Sequence, residues 1–179
     1  IGVTFASANT SQTSDAVELK IIHTNDLHAK IKEFGKIAAY IKQERANATN
    51  SLFLDAGDIF SGNPVVDLQY GEPIVELLNM MGLQAMVIGN HDFDYGQEQT
   101  IKRINQSQFP WLSANTKVGE GAHPDFPQPE PYKIFDVNGI SVGVLALTET
   151  PPSTAPANVV GIQFNNPIET ARQYEYLKD

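Results

Sequence analysis

Three short stretches carry the residues able to do chemistry: Asn25-Asp26-Leu27-His28, Asp55-Ala56-Gly57-Asp58, and Gly89-Asn90-His91-Asp92-Phe93-Asp94-Tyr95-Gly96. Each gathers amides, imidazoles or carboxylates, groups that are costly to crowd in a dry place unless an ion pairs with them. Asp26 and His28 stand two apart, so one tight loop can offer both to the same ion. Gly57 and Gly89 directly precede Asp58 and Asn90, where the lack of a Cβ lets the backbone turn sharply beside a metal. A mixed Asp, His and Asn donor set suits zinc, manganese or iron, in preference to calcium or magnesium. Two ions sharing one carboxylate are the economical arrangement.

The elements that must position these residues alternate between strand and helix patterns, which points to an α/β fold with a mostly parallel sheet. Leu19 to Thr24, Ser51 to Leu54, Ala85 to Ile88 and Trp111 to Ala114 read as strands. Helices are expected around Phe34, Ile37, Ala38 and Ile41, from Pro73 to a stop at Gly82, and through Thr100 to Ile104. Asn138-Gly139 is the dipeptide a tight type I′ hairpin prefers, and it separates two apolar runs. Asn166-Pro167-Ile168-Glu169 has the form of a helix start that runs on through Ala171 and Tyr174. Three of the four strands end in the polar stretches above. In an open α/β sheet, loops beyond the carboxyl ends of the strands converge on one crevice.

The 179 residues suit one domain or a piece of a larger one, and the 41% hydrophobic content describes a chain that folds. A formal net charge of -9 speaks against a nucleic-acid polymer as partner, because phosphate backbones are gripped by basic stripes. A small phosphorylated ligand fits if metal supplies the positive charge. The absence of Cys removes disulfides, thiolate zinc sites and cysteine nucleophiles. No apolar run approaches the ~20 residues that span a bilayer. The apolar start ending in Ala6-Ser7-Ala8 has the small-x-small form of a signal-peptidase site. Residues 1–17 are thus expected to be a signal-peptide remnant and disordered N-terminus, and the protein to be secreted, periplasmic or on the cell surface.

The stretches Leu19 to Ile31 (LKIIHTNDLHAKI), Asp55 to Gly62 (DAGDIFSG) and Val87 to Gly96 (VIGNHDFDYG) resemble the first three blocks of the calcineurin-like metallophosphatases. The first block and the Phe-Asp-Tyr-Gly tail resemble, more narrowly, the 5'-nucleotidase family. The resemblance implies a metallophosphatase-type αββα sandwich with the metal site at the carboxyl ends of the strands. It further implies that Asp26 and His28 bind one metal, that Asp58 bridges two, and that Asn90 binds the second. His91 would be the catalytic histidine, with Asp92, where many relatives carry Glu, orienting it and keeping it protonated. The implied reaction is hydrolysis of nucleotide phosphate esters through in-line attack by a metal-bridging hydroxide. Cyclic-nucleotide phosphodiesterases and nucleotide-sugar hydrolases of the same family are the alternatives within the class.

The family's later blocks, a lone metal-binding histidine and a Gly-His-x-His segment, have no counterpart in the sequence. The two remaining histidines are His23, within the first strand, and His123, in a proline-rich loop. Four protein donors leave each of two metals short of the ~4 ligands it takes. Residues 18–179 are accordingly expected to be the N-terminal part of a catalytic domain, with its remainder and a C-terminal nucleotide-binding domain in a longer parent chain. By itself the chain is expected to bind metal weakly and turn over little substrate. A reading of another class is a non-catalytic surface-binding module with a degenerate metal site. Asp94 and Tyr95 read as a turn leading into the helix from Gln97, and Asn115 stands open between a phosphate contact and a structural cap.

Overall fold

The computed structural model describes residues 16–150 and 152–178, so residues 1–15 of the segment read as a signal remnant lie outside it. Four strands, β1 (Lys20–Thr24), β2 (Ser51–Asp55), β3 (Ala85–Val87) and β4 (Trp111–Leu112), form a parallel sheet in that order. The helices α1 (Phe34–Ala46), α2 (Pro64–Asp67), α3 (Glu72–Met81) and α4 (Gln97–Gln106) lie in the connections between them. Strands β5 (Thr116–Val118) and β8 (Ile162–Phe164) pair antiparallel; β6 (Tyr132–Val137) and β7 (Ile140–Leu145) form a hairpin; α5 (Pro167–Arg172) follows.

The period-2 alternation of the strands divides the sheet between two cores. Ile22, Phe53, Met86 and Trp111 share a buried cluster with Phe34 and Ile41 of α1, Ile74, Val75 and Leu78 of α3, and Ile101 of α4. Their sequence neighbours Leu54, Ala85, Val87 and Leu112 turn to the opposite face and meet Phe135 and Ala146 from the hairpin region. Between this face and the hairpin lies an apolar cavity of about 310 Å³ that also admits His23 and Asp55. Gly143 and Leu145 of β7, with Leu147 just beyond it, line a second hollow with Ile168 and Ala171 of α5, and Tyr174 sets its ring edge-on to Tyr132 at 5.9 Å. The layers therefore run helix, sheet, hairpin, helix.

The expected local signals do their work. Asn138 and Gly139 both take positive φ, 53° and 84°, as the type I′ turn requires. Gly82 ends α3 in the left-handed conformation. Asn166 caps α5 by accepting from the Ile168 and Glu169 N–H groups. Two extents differ. The helix does not run through Tyr174: α5 ends at Arg172, and a 3-10 turn over Glu175–Lys178 follows, which frees Tyr174 to pack on Tyr132. Strand β4 stops at Leu112, because the Ser113 and Ala114 N–H groups are taken by the carbonyls of Glu130 and Ala146.

Candidate metal centre

The loops beyond β1, β2 and β3 are bonded to one another, and this is what brings their side chains together. The ladder between β1 and β2 continues into the loops: the Asp26 N–H donates to the Gly57 carbonyl at 3.0 Å, His28 to Asp58 at 3.1 Å and Ala29 to Ile59 at 3.0 Å. Asp26, His28, Asp58 and Ser61 all hold left-handed backbone conformations, with φ of 50°, 43°, 59° and 61°. Such conformations cost energy for residues with a Cβ and cluster where a site demands them. Gly57 (φ 91°) and Gly89 allow the second and third loops to touch: a Cβ on Gly57 would come within 2.8 Å of the Gly89 nitrogen, and one on Gly89 would collide with the Asp58 carboxylate.

Asp26, His28 and Asp58 each present a ligand atom, and these atoms lie within 4.8 Å of one another. The imidazole is prepared for an ion: His28 Nδ1 faces the Ser61 carbonyl at 3.2 Å, which directs the proton to Nδ1 and leaves Nε2, 3.6 Å from Asp26 Oδ1, with its lone pair free. Asn90 is 4% exposed, makes no cap bond to its own turn, and donates Nδ2 to the Ser153 carbonyl at 3.1 Å. Its amide oxygen is therefore the atom free to coordinate. The converging set of two carboxylates and an imidazole nitrogen fits a divalent transition metal.

His91 follows on the third loop. Its N–H donates to Asp58 Oδ1 at 2.7 Å, and its ring lies edge-on to that of His28, with centroids 4.9 Å apart. The expected pairing with Asp92 is corrected by the structure. His91–Phe93 is a 3-10 turn with Asp94 as its C-cap, and Asp94 Oδ2 is the carboxylate oxygen that meets His91 Nδ1, at 2.8 Å. Three residues per turn place positions i and i+3 on one side, so the neighbouring carboxylate at i+1 points elsewhere. The bond to Asp94 raises the pKa of His91 above its ordinary value, against the opposing pull of burial.

Asp92 is wholly buried and serves the backbone. It accepts from the N–H groups of Gly89, Ile59 and Asp58 at 2.8, 3.0 and 3.1 Å, fastening the second loop to the third. Burial pushes its carboxyl up to about 8, and lifts that of Asp55, which accepts from Thr24 and Gly57, to about 7.

Asp94 and Tyr95 do more than turn the chain. Asp94 also accepts from the Ser61 hydroxyl, and the Tyr95 hydroxyl accepts from the Ser61 N–H while donating to Asp67. Asn115 is fully buried and fully engaged, its Nδ2 on the Thr148 and Asn165 carbonyls and its Oδ1 on the Thr148 N–H, which makes it a structural hub. His123 stands apart, with its N–H on Gln97 and its Nδ1 on the Asp125 N–H.

Residues 19–179 match the model of a family described as calcineurin-like phosphoesterase. The chain belongs to that family. It is 35% identical to a 5'-nucleotidase of Vibrio cholerae over 96% of this chain and 33% of that protein. A snake venom 5'-nucleotidase of Gloydius brevicauda is 30% identical over 97% of this chain and 33% of its own length. Among solved structures, a 5'-nucleotidase precursor from Thermus thermophilus superimposes with a TM-score of 0.76 at 29% identity, covering 88% of this chain and 34% of that one. The chain thus spans about a third of the length of the relatives it matches, and its α/β fold with a parallel sheet is theirs.

Proposed function

We propose that this phosphoesterase chain carries part of the site of a two-metal phosphohydrolase of the 5'-nucleotidase type, with nucleotides as substrates. The observation that carries the reading is the convergence of Asp26, His28 and Asp58 within 4.8 Å at the ends of parallel strands. Asp26 and His28 would hold one ion, Asp58 would touch both, and Asn90 would hold the second through its amide oxygen. Divalent ions held there would supply a nucleophile at neutral pH, by lowering the pKa of bound water, and would offset charge on the phosphate oxygens.

The chain's own residues do the rest. His91, with Nδ1 on Asp94, turns Nε2 outward as a donor to the phosphate oxygens or the leaving group, where negative charge grows in the transition state. Asp94 fixes the ring and favours its charged form. Asp92 contributes by holding the loops that carry Asp58 and Asn90. Further metal ligands and the nucleoside-binding surface are placed, in this proposal, in the two thirds of the relatives' length that this chain does not cover. No helix among the described residues is long and apolar enough to cross a membrane, and export follows the small-x-small motif at Ala6-Ser7-Ala8.

The test is hydrolysis of nucleoside 5'-monophosphates by the full-length protein, with and without a chelator. Release of phosphate that stops on chelation and returns with manganese or zinc is expected. No release from any nucleotide ester under those conditions would contradict the proposal.

A further inference from the structure

Ser61 spends each of its three polar groups on the site. Its carbonyl accepts from His28 Nδ1 at 3.2 Å, its hydroxyl donates to the same Asp94 oxygen that meets His91, and its N–H donates to the Tyr95 hydroxyl at 3.0 Å. It does so from a left-handed backbone with φ of 61°, which a serine adopts only when its surroundings impose it. The imposing groups are present. Tyr95 donates onward to Asp67, and the Asp67 carboxylate also takes the N–H of Gly62, so both sides of the Ser61 peptide are pinned. Burial and the bond to Asp67 keep the Tyr95 phenol protonated, as that donation requires.

We infer that Ser61 is a positioning residue for both histidines, setting His28 through its carbonyl and His91 through its hydroxyl and Asp94. The inference rests on the phosphohydrolase reading for its effect on rate, and on geometry alone for its effect on the rings. An Asp94 carboxylate with one partner can swing about its Cβ; with the Ser61 hydroxyl and His91 Nδ1 converging on the same oxygen, its plane is fixed. Two rings 4.9 Å apart are then registered by one residue, so the metal ligand and the transition-state donor keep a constant separation.

The test uses the full-length protein and the variants Ser61→Ala and Ser61→Gly. Both remove the hydroxyl and keep the carbonyl, and the glycine variant suits the left-handed backbone, so a folding defect confined to alanine is separated from the loss of the bond. Both variants are expected to lower kcat on the order of 10- to 100-fold with KM and bound metal unchanged. Placed on Asp94→Asn, the same substitutions are expected to cost less than about twofold more, because the two residues act as one unit. In 15N-histidine spectra the His91 Nδ1 signal is expected to move while that of His28 stays. Unchanged His91 signals, or full additivity with Asp94→Asn, would overturn the inference. If the wild-type protein hydrolyses no nucleotide, the functional proposal falls, and the spectra still decide the role of Ser61 by the same two outcomes.

Discussion

At the scale of single residues, two carboxylates two positions apart have opposite tasks. Asp94 meets His91 and Ser61 at the mouth of the site, whereas Asp92 is sealed among backbone donors. Their substitutions should therefore separate cleanly. Asp92→Ala strands three N–H groups in the loop cluster and is expected to lower folding stability by roughly 2–5 kcal/mol in chemical denaturation. Asp94→Ala is expected to change stability by less than about 1 kcal/mol and to lower kcat on the order of 100-fold, with metal retained. The reverse assignment of these two effects would show that Asp92 is the partner of His91 after all. The candidate donors Asp26, His28 and Asp58 were legible in the sequence because Asp-x-His and Gly-Asp each couple a donor to a turn. The partner of His91 was not, since adjacency in sequence favours Asp92 and only the 3-10 turn reveals the i, i+3 relation. That spacing in His91-Asp92-Phe93-Asp94 was the available signal. Ser61 gave none, because nothing in a Phe-Ser-Gly turn announces that all three polar groups have distant partners.

Among the elements, the strands β1, β2 and β3 matter less for their own pairing than for the loops they throw together. The contact between the second and third loops depends on Gly89 having no side chain. Gly89→Ala is expected to displace the Asp58 carboxylate, to weaken metal binding at least tenfold by calorimetric titration, and to cost about 1–3 kcal/mol of stability. Retained affinity would mean that the loop moves aside freely. Asp55, at the end of β2, gives a pH dependence. Burial lifts its folded pKa to about 7, above the ordinary aspartate value of 3.8, so between these values the folded state binds the proton more tightly than the unfolded state. Its contribution to stability is present at low pH and is lost as pH rises from about 4 through 7. In metal-free protein, Asp55→Asn is expected to flatten this part of the stability profile, measured as Tm against pH. An unchanged slope would assign it to other groups. The four parallel strands, the hairpin turn and the caps were readable from local chemistry; the short β5–β8 pair and the early stop of α5 were not, because their contacts join segments far apart in sequence.

At the scale of the whole molecule, the layers of helix, sheet, hairpin and helix place every chemical group on one rim, the carboxyl ends of the parallel strands. The rim presents Asp26 and Asp58 in a chain with a formal net charge of -9, so a divalent cation relieves repulsion as well as taking ligands. A cation that binds only the folded state at 100 times its dissociation constant stabilises that state by about 2.7 kcal/mol. Manganese or zinc is therefore expected to raise Tm in a concentration-dependent manner, and a chelator to reverse the rise. The measurement that tests the metal centre most directly is elemental analysis of the purified full-length protein after dialysis against trace manganese, zinc, iron and calcium, with Asp58→Ala in parallel. At least about one equivalent of manganese, zinc or iron in the wild type, lost in Asp58→Ala, is the expected result. Calcium alone, or transition metal held equally by both proteins, would contradict a metal centre built on Asp58.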